Sequence, residues 1–284
     1  MSRIAYVNGR YLPHRLARVH IEDRGFQFAD AVYEVIAIRR GAFIDEDRHL
    51  ARLARSRDAL RLAAPMSDAA LKRVLRETAR RNGVTDGIVY LQVTRGAASR
   101  DFAFPARARP SLVVTSRRQR IADPRLIANG VAVITVPDIR WRRPDIKSVG
   151  LLPNALAKQQ AKEAGAYEAW QVDAEGNVTE GTSSNAWIVN AAGEVITRKA
   201  DTNILGGVTR LGVFDIVARD GLRLVERPFG VAEAKAAREA MLTSATNGVL
   251  PVVRIDGVAI GAGRPGPVAL KLAAAYRDFM DGAA

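Results

Sequence analysis

The chain has 284 residues, no cysteine and a formal net charge of +13, with 43 Lys and Arg against 30 Asp and Glu. Its length suits one large domain or two of ordinary size, and a hydrophobic fraction of 48% indicates a globular protein. The missing cysteines exclude disulfides, thiolate metal sites and cysteine nucleophiles together.

No metal site is expected. No apolar run approaches the ~20 residues of a membrane span, and the N-terminus lacks the apolar core of a signal peptide, so a cytoplasmic location without a membrane partner is expected. The basic excess raises nucleic acid as a partner. The arginines, however, are scattered through apparent helices, and the densest clusters, at 107–120 and 140–143, contain few aromatics and no helix-turn-helix, finger or RNA-binding signature. Nucleic acid is therefore not expected to bind.

In chain order, residues 4–7 and 10–12 flank Asn8-Gly9, a strong hairpin signal. Residues 31–39 read as a largely buried strand that Arg40-Gly41 turns back toward 42–44. An amphipathic helix is expected over 45–62 and a second, capped by Ser67, to about Arg81. Strands at 87–95 and 111–115 enclose a loop, 96–110, long enough to be functional. Polar residues from Arg117 to Asp123 mark a boundary, so an N-terminal α/β domain is placed at 1–118, a linker at 119–127 and a larger domain at 128–284. The larger domain should hold strands at 131–136, 167–173, 178–180, 186–189, 194–197, 222–227 and 250–255. Its helices are expected from Asn154 to about Gly165, over 209–220, over 232–241 and after Pro265. The fold class is mixed α/β.

The segment D-I-K-S-V-G-L-L-P-N at 145–154 sets Lys147 beside Ile146, Val149, Leu151 and Leu152, which suggests that the backbone passes through the interior. An ordinary lysine titrates near ~10.4, whereas a desolvated one can lose its proton and become a nucleophile. Two readings stay open for the segment alone: an interfacial lysine reaching outward, or a nucleophile forming a Schiff base with an aldehyde cofactor. Pyridoxal phosphate in that role needs a phosphate cradle, a partner for the pyridine nitrogen and a dry pocket. Glu180, at a strand end in T-E-G-T-S-S-N, suits the nitrogen. Gly206-Gly207-Val208-Thr209 enters a helix whose amides can face an anion, Thr243 to Gly248 is a second hydroxyl-rich turn, and Arg52 is a candidate cation.

Order and wording together resemble the fold type IV pyridoxal-phosphate enzymes, and among these most the bacterial D-amino acid aminotransferases. The similarity rests on E-D-R-G-F-Q-F-A-D-A-V-Y-E-V at 22–35, Arg52-Leu53, Q-V-T-R-G at 92–96, D-I-R-W at 138–141, D-I-K-S with A-K-Q, T-E-G-T-S-S-N, and I-L-G-G-V-T-R at 204–210. It implies a two-domain fold type IV enzyme with a smaller α/β domain and a larger, β-barrel-like domain with helices. It further implies Lys147 as the cofactor-bearing amine and proton carrier, and Glu180 as the pyridine-nitrogen partner. Arg52, Val208, Thr209 and Thr246 become phosphate ligands, Leu205 the apolar residue against the ring, and Tyr33 a neighbour of cofactor and substrate. The implied reaction exchanges an amino group between a D-amino acid and a 2-oxo acid. The implied assembly is a homodimer whose loop reaches over to the other subunit.

One stretch departs from that pattern. D-specific members hold the substrate carboxylate with an arginine and a histidine two residues later, whereas here Arg100 is followed by Asp101 and Phe102. Losing one hydrogen bond to a charged group costs ~1.5 to 3 kcal/mol. A branched-chain L-amino acid aminotransferase, an (R)-selective amine transaminase and an aminodeoxychorismate lyase therefore remain alternatives of the same fold.

Overall fold

Asn8 and Gly9 both take left-handed backbone, with φ of 45° and 96°, and close the hairpin of β1 (Ile4–Val7) and β2 (Arg10–Pro13). In the computed structural model, which describes residues 3–282, the chain divides into two units. The first holds the residues up to Ile121 and, separately, Ile146–Gly150; the second holds Ala122–Asp145 and Leu151–Gly282.

The first unit continues with α1 (Arg24–Phe28), β3 (Ala31–Arg39), β4 (Ala42–Phe43), α2 (Glu46–Ala59), α3 (Asp68–Arg81), β5 (Gly87–Thr94) and β6 (Ser111–Arg118). Its strands form a six-stranded sheet in the order β2-β1-β6-β5-β3-β4. As expected, the Ser67 hydroxyl caps α3 by accepting from the Ala70 N–H. Side chains alternate across a strand, so Val32, Ile36 and Ile38 of β3 share a face. They join Leu50 and Leu53 of α2, Leu71 and Leu75 of α3, and Ile146 in one apolar core.

Glu34 lies on that same face and is 0% exposed. Arg52 grips it with two donors, Nε to Oε1 and Nη2 to Oε2, each at 2.8 Å, and His49 Nδ1 lies 2.7 Å from Oε2. Burial alone would raise the Glu34 carboxyl, but the Arg52 guanidinium and the His49 hydrogen bond outweigh it and lower it to about 2. Burial lowers His49 and keeps it neutral, the Glu34 contact opposing this and the nearby cations reinforcing it.

The segment carrying Lys147 is tied to this unit by β3. The Tyr33 N–H donates to the Lys147 carbonyl at 3.1 Å, the Val149 N–H donates to the Ala31 carbonyl at 3.1 Å, and Val32 and Ser148 form an antiparallel bridge. The sequence-based boundary groups Lys147 with 128–284, because a five-residue return to the first unit leaves no local signal.

The second unit contains α4 (Pro124–Asn129), β7 (Val131–Pro137), α5 (Leu152–Glu163), β8 (Glu168–Val172), β9 (Val178–Gly181), β10 (Asn185–Val189), β11 (Val195–Thr197), α6 (Val208–Arg219), β12 (Leu224–Glu226), α7 (Val231–Ala236), β13 (Glu239–Ser244), β14 (Gly248–Ile255), β15 (Val258–Ala259) and α8 (Pro267–Gly282). Its nine-stranded sheet runs β12-β11-β10-β13-β14-β7-β8-β9, with β15 paired to β14. Trp170, Ile188, Leu242 and Leu250 lie in its core.

Four local expectations change. Residues 239–241, expected at the end of a helix over 232–241, are strand, the start of β13: the alanine-rich run before them favours helix, but these side chains are buried where β13 pairs with both β10 and β14. Asp123 caps α4, with Pro124 in its first turn, inside the expected linker. Pro153 occupies the first turn of α5, so the helix begins at Leu152 and Asn154 lies within it. Leu151 and Leu152 are 38% and 70% exposed, so the chain comes to the surface from Gly150 onward instead of continuing inward. No described helix is long and apolar enough to cross a membrane.

Replacing Glu34 with Gln should remove the carboxylate that neutralises the buried Arg52 and lower the unfolding free energy at pH 7 by about 3 to 5 kcal/mol, measured by chemical denaturation. Because the folded Glu34 carboxyl lies below its ordinary 4.5, its contribution is complete above that value and is lost as pH falls through about 2. The deficit of the variant should shrink over the same window.

Candidate active site

In the first unit the backbone of Lys147 is held on both sides. Its N–H donates to Ser56 Oγ of α2 at 3.1 Å, its carbonyl accepts from the Tyr33 N–H, and the preceding Ile146 is anchored at 4% exposure. The Lys147 side chain is half-buried. Its Nζ lies 4.3 Å from the centroid of the Tyr33 ring, and no carboxylate pairs with it among the described residues. Tyr33 in turn stacks on Tyr90, centroid to centroid 5.7 Å. Burial, with Tyr33 adding to it, pushes the Tyr90 hydroxyl up to about 12. The structure therefore brings Lys147 and Tyr33 together, and Arg52 lies one strand position away through its grip on Glu34.

In the second unit Glu180, the penultimate residue of β9, has both oxygens engaged. Oε1 accepts from Arg140 Nη1 and from the Leu205 N–H at 3.1 Å, and Oε2 accepts from Asn185 Nδ2 at 3.0 Å. Arg140 also binds Asp138 through Nε and Nη2, at 2.9 and 2.6 Å. Burial would lower the Arg140 guanidinium, but Asp138 and Glu180 outweigh it and hold it above its ordinary range. For Asp138 burial acts upward and Arg140 downward, with the net effect lowered.

Asn185 also donates to the Leu205 carbonyl at 2.9 Å, which ties Glu180 to the loop leading into α6. A Cβ on Gly207 would lie 2.1 Å from Asn185 Oδ1, so only glycine permits this approach. Gly207 is the N-cap of α6 and no side chain caps it. The first amides of the helix, at Val208 and Thr209, thus lie at the positive end of its dipole beside the buried Thr209 hydroxyl. Thr246 follows β13 in a half-buried turn, with its Oγ1 3.3 Å from Asn247 Nδ2.

Arg100 and Phe102 lie on the exposed loop of the first unit, and no contact to Lys147 or Tyr33 is seen among the described residues. The Arg100 guanidinium sits 5.0 Å from the Phe28 ring centroid and 5.9 Å from that of Phe102. The two rings are 5.6 Å apart. Arg24 fixes the loop by donating to the carbonyls of Asp101 and Phe102 at 2.5 and 3.4 Å, while its Nε binds Asp30. Phe102 is 82% exposed.

Several of these residues have no role that the sequence alone assigns, although Glu34, Arg140 and Asn185 stand inside quoted motifs. Glu34 leaves a signal, a charge at an inward position of an apolar strand. Arg140 is disguised by the basic cluster around it, and Asn185 and Ser56 act through partners distant in sequence.

Residues 31–255 match the family described as amino-transferase class IV. The D-alanine aminotransferase of Bacillus licheniformis is 41% identical over 274 residues, spanning 96% of this chain and 95% of that protein. That of Listeria innocua serovar 6a is 36% identical over 268 residues, 94% and 92% of the two chains. Among solved structures, the T.th. branched-chain amino acid aminotransferase complexed with N-(5'-phosphopyridoxyl)-L-glutamate aligns with a TM-score of 0.92 at 26% identity, covering 100% of this chain and 96% of that one. The family match over most of the chain and the near full-length relatives show that the chain belongs to the class IV aminotransferases.

Proposed function

We propose that the chain is a pyridoxal-phosphate-dependent transaminase that exchanges the amino group between a D-amino acid of the D-alanine or D-glutamate type and a 2-oxo acid in a ping-pong cycle. The observation that carries this reading is Lys147, an amine on a doubly hydrogen-bonded backbone with an aromatic ring, not a carboxylate, as its neighbour. Kinship with D-alanine aminotransferases supports the choice of substrate.

Each unit offers groups of the kind the cofactor requires. Val208 and Thr209 offer uncapped helix amides to a phosphate, Thr246 a hydroxyl and Arg52 a guanidinium, while Glu180 offers a carboxylate to a pyridine N–H and Leu205 an apolar face to the ring. When bound, pyridoxal phosphate supplies an aldehyde for the amino group and a ring that takes up the electron pair left at the substrate Cα. Lys147 carries the cofactor between turnovers and moves the Cα proton. Tyr33 confines the lysine amine, and Arg140 and Asn185 hold Glu180 in one orientation.

Arg100 takes the substrate carboxylate. The active form is a homodimer in which this loop serves the neighbouring copy, consistent with exposed Phe102, Ile21 and Phe26, at 82%, 77% and 75%. A second reading, an aminotransferase for branched-chain L-amino acids, is favoured by the apolar Phe102 alone.

Lys147→Ala should abolish both half-reactions and the borohydride-reducible link to the cofactor; retained turnover with D-alanine would sink the assignment. Arg100→Ala should raise KM for D-alanine at least tenfold, the loss of ~1.5 to 3 kcal/mol for a charge-assisted hydrogen bond, and Phe102→His should lower it. Reaction with L-leucine but not with D-alanine would select the second reading. Mixing inactive Lys147→Ala with Arg100→Ala should restore activity if the loop serves the other copy, and no recovery would place Arg100 in its own subunit's site.

A further inference from the structure

Glu168, the first residue of β8, is a buried carboxylate to which none of these roles gives a task; it is 1% exposed. Oε1 accepts from Thr182 Oγ1 and from the Ala169 N–H at 3.1 Å, and Oε2 accepts from Ser183 Oγ and Ser184 Oγ, both at 3.2 Å. Its cationic neighbour is Lys158, with Nζ at 3.7 Å and a side chain 46% exposed. Burying a carboxylate is costly unless donors satisfy it. An apolar residue would serve packing better, so its presence points to a task beyond packing.

The three hydroxyls supply that task. They belong to consecutive residues, and consecutive side chains in a strand point to opposite faces. All three reach one carboxylate only if the chain turns, so the carboxylate selects the conformation of the turn from β9 to β10. Gly181 belongs to the same arrangement, since a Cβ there would lie 2.2 Å from Ser184 Oγ and 3.2 Å from Glu168 Cγ. The Gly181 N–H donates to the Ser184 carbonyl at 2.7 Å, and Asn154 Nδ2 donates to that of Thr182 at 2.8 Å. The residues bracketing this turn are Glu180 and Asn185, which are hydrogen-bonded to each other at 3.0 Å.

We propose that Glu168 is a positioning residue: by gathering the hydroxyls of Thr182, Ser183 and Ser184 it sets the spacing and aim of Glu180 and Asn185 toward the cofactor ring. This rests on the role proposed above for Glu180. A purely structural Glu168 would behave as Glu239 does, a buried carboxylate of the same unit that caps α8 by accepting from the Val268 and Ala269 N–H groups at 3.1 and 2.8 Å.

The test titrates purified apoprotein with pyridoxal phosphate and records the melting temperature of each apo variant. Glu168→Leu should raise the cofactor dissociation constant at least tenfold, and Glu168→Gln, which keeps one acceptor oxygen, should restore part of the affinity. Glu239→Gln should lower the melting temperature and leave the dissociation constant within twofold. Glu180→Gln should weaken cofactor binding, and adding Glu168→Leu to it should weaken it little further. If Glu180→Gln weakens binding while Glu168→Leu stays within twofold of the wild type, the positioning role is refuted and the reading of Glu180 stands. If Glu180→Gln itself leaves binding unchanged, that reading fails and the positioning role fails with it. Should Glu168→Leu not fold, Ser183→Ala combined with Ser184→Ala carries the same expectation and the same refutation.

Discussion

The two hydrogen bonds on the backbone of Lys147 are the constraint around which the first unit is organised. A lysine side chain is a flexible four-carbon stem, so its amine can be directed only if its root is fixed. Ser56 holds the N–H and Tyr33 the carbonyl, which transfers the requirement to α2 and β3. Those two elements are joined by the apolar core around Ile36 and Leu53 and by the pair of Glu34 with Arg52. A polar pair inside a core contributes little net stability, but it permits one register of helix against strand, and a slip would leave a charge unpaired. On the opposite face of β3, Tyr33 is steadied by Tyr90, and its ring limits where the lysine amine can lie.

Arginine recurs at several of the buried carboxylates, though not at Glu168 or Glu239. Arg52 answers Glu34, Arg24 and Arg95 answer Asp30, and Arg140 answers both Asp138 and Glu180. The planar guanidinium fork meets both carboxylate oxygens at once, which an ammonium cannot do. Part of the basic composition that raises nucleic acid as a partner is thus internal structure. Lys147 is set apart by the same contrast, because its neighbour is an aromatic ring.

What could be read from the amino-acid order was whatever the chain settles locally. Asn8-Gly9, the Ser67 cap, the strand carrying Glu180 and the glycine entry to α6 are each decided within a few residues, and each was legible. Where pairing with distant strands decides, the reading failed: residues 239–241 continue an alanine-rich run that reads as helix, and they begin β13 because β10 and β14 lie on either side. The site divides along the same line. Lys147, Glu180 and the proposed phosphate turn suggest their chemistry by residue type and spacing, whereas Arg140, Asn185, Ser56 and Glu168 acquire their contacts from partners between 5 and 91 positions away.

Arg140 poses a question of charge that its neighbours answer. In the role proposed for Glu180, a carboxylate facing a protonated ring nitrogen must present net negative charge, yet Arg140 already sits on Glu180 and by itself would cancel it. Asp138 restores the balance. With two of its donors on Asp138, Arg140 is shared between two carboxylates, and the group of Asp138, Arg140 and Glu180 keeps a net charge of −1. The next guanidinium whose field couples to Glu180, that of Arg210, is itself matched by Glu226 at 2.5 Å. Asn185 and the Leu205 N–H then fix the orientation of Glu180 without adding charge. Arginine therefore serves here to lock a carboxylate in place, and the second carboxylate behind it is what leaves Glu180 able to hold a cation.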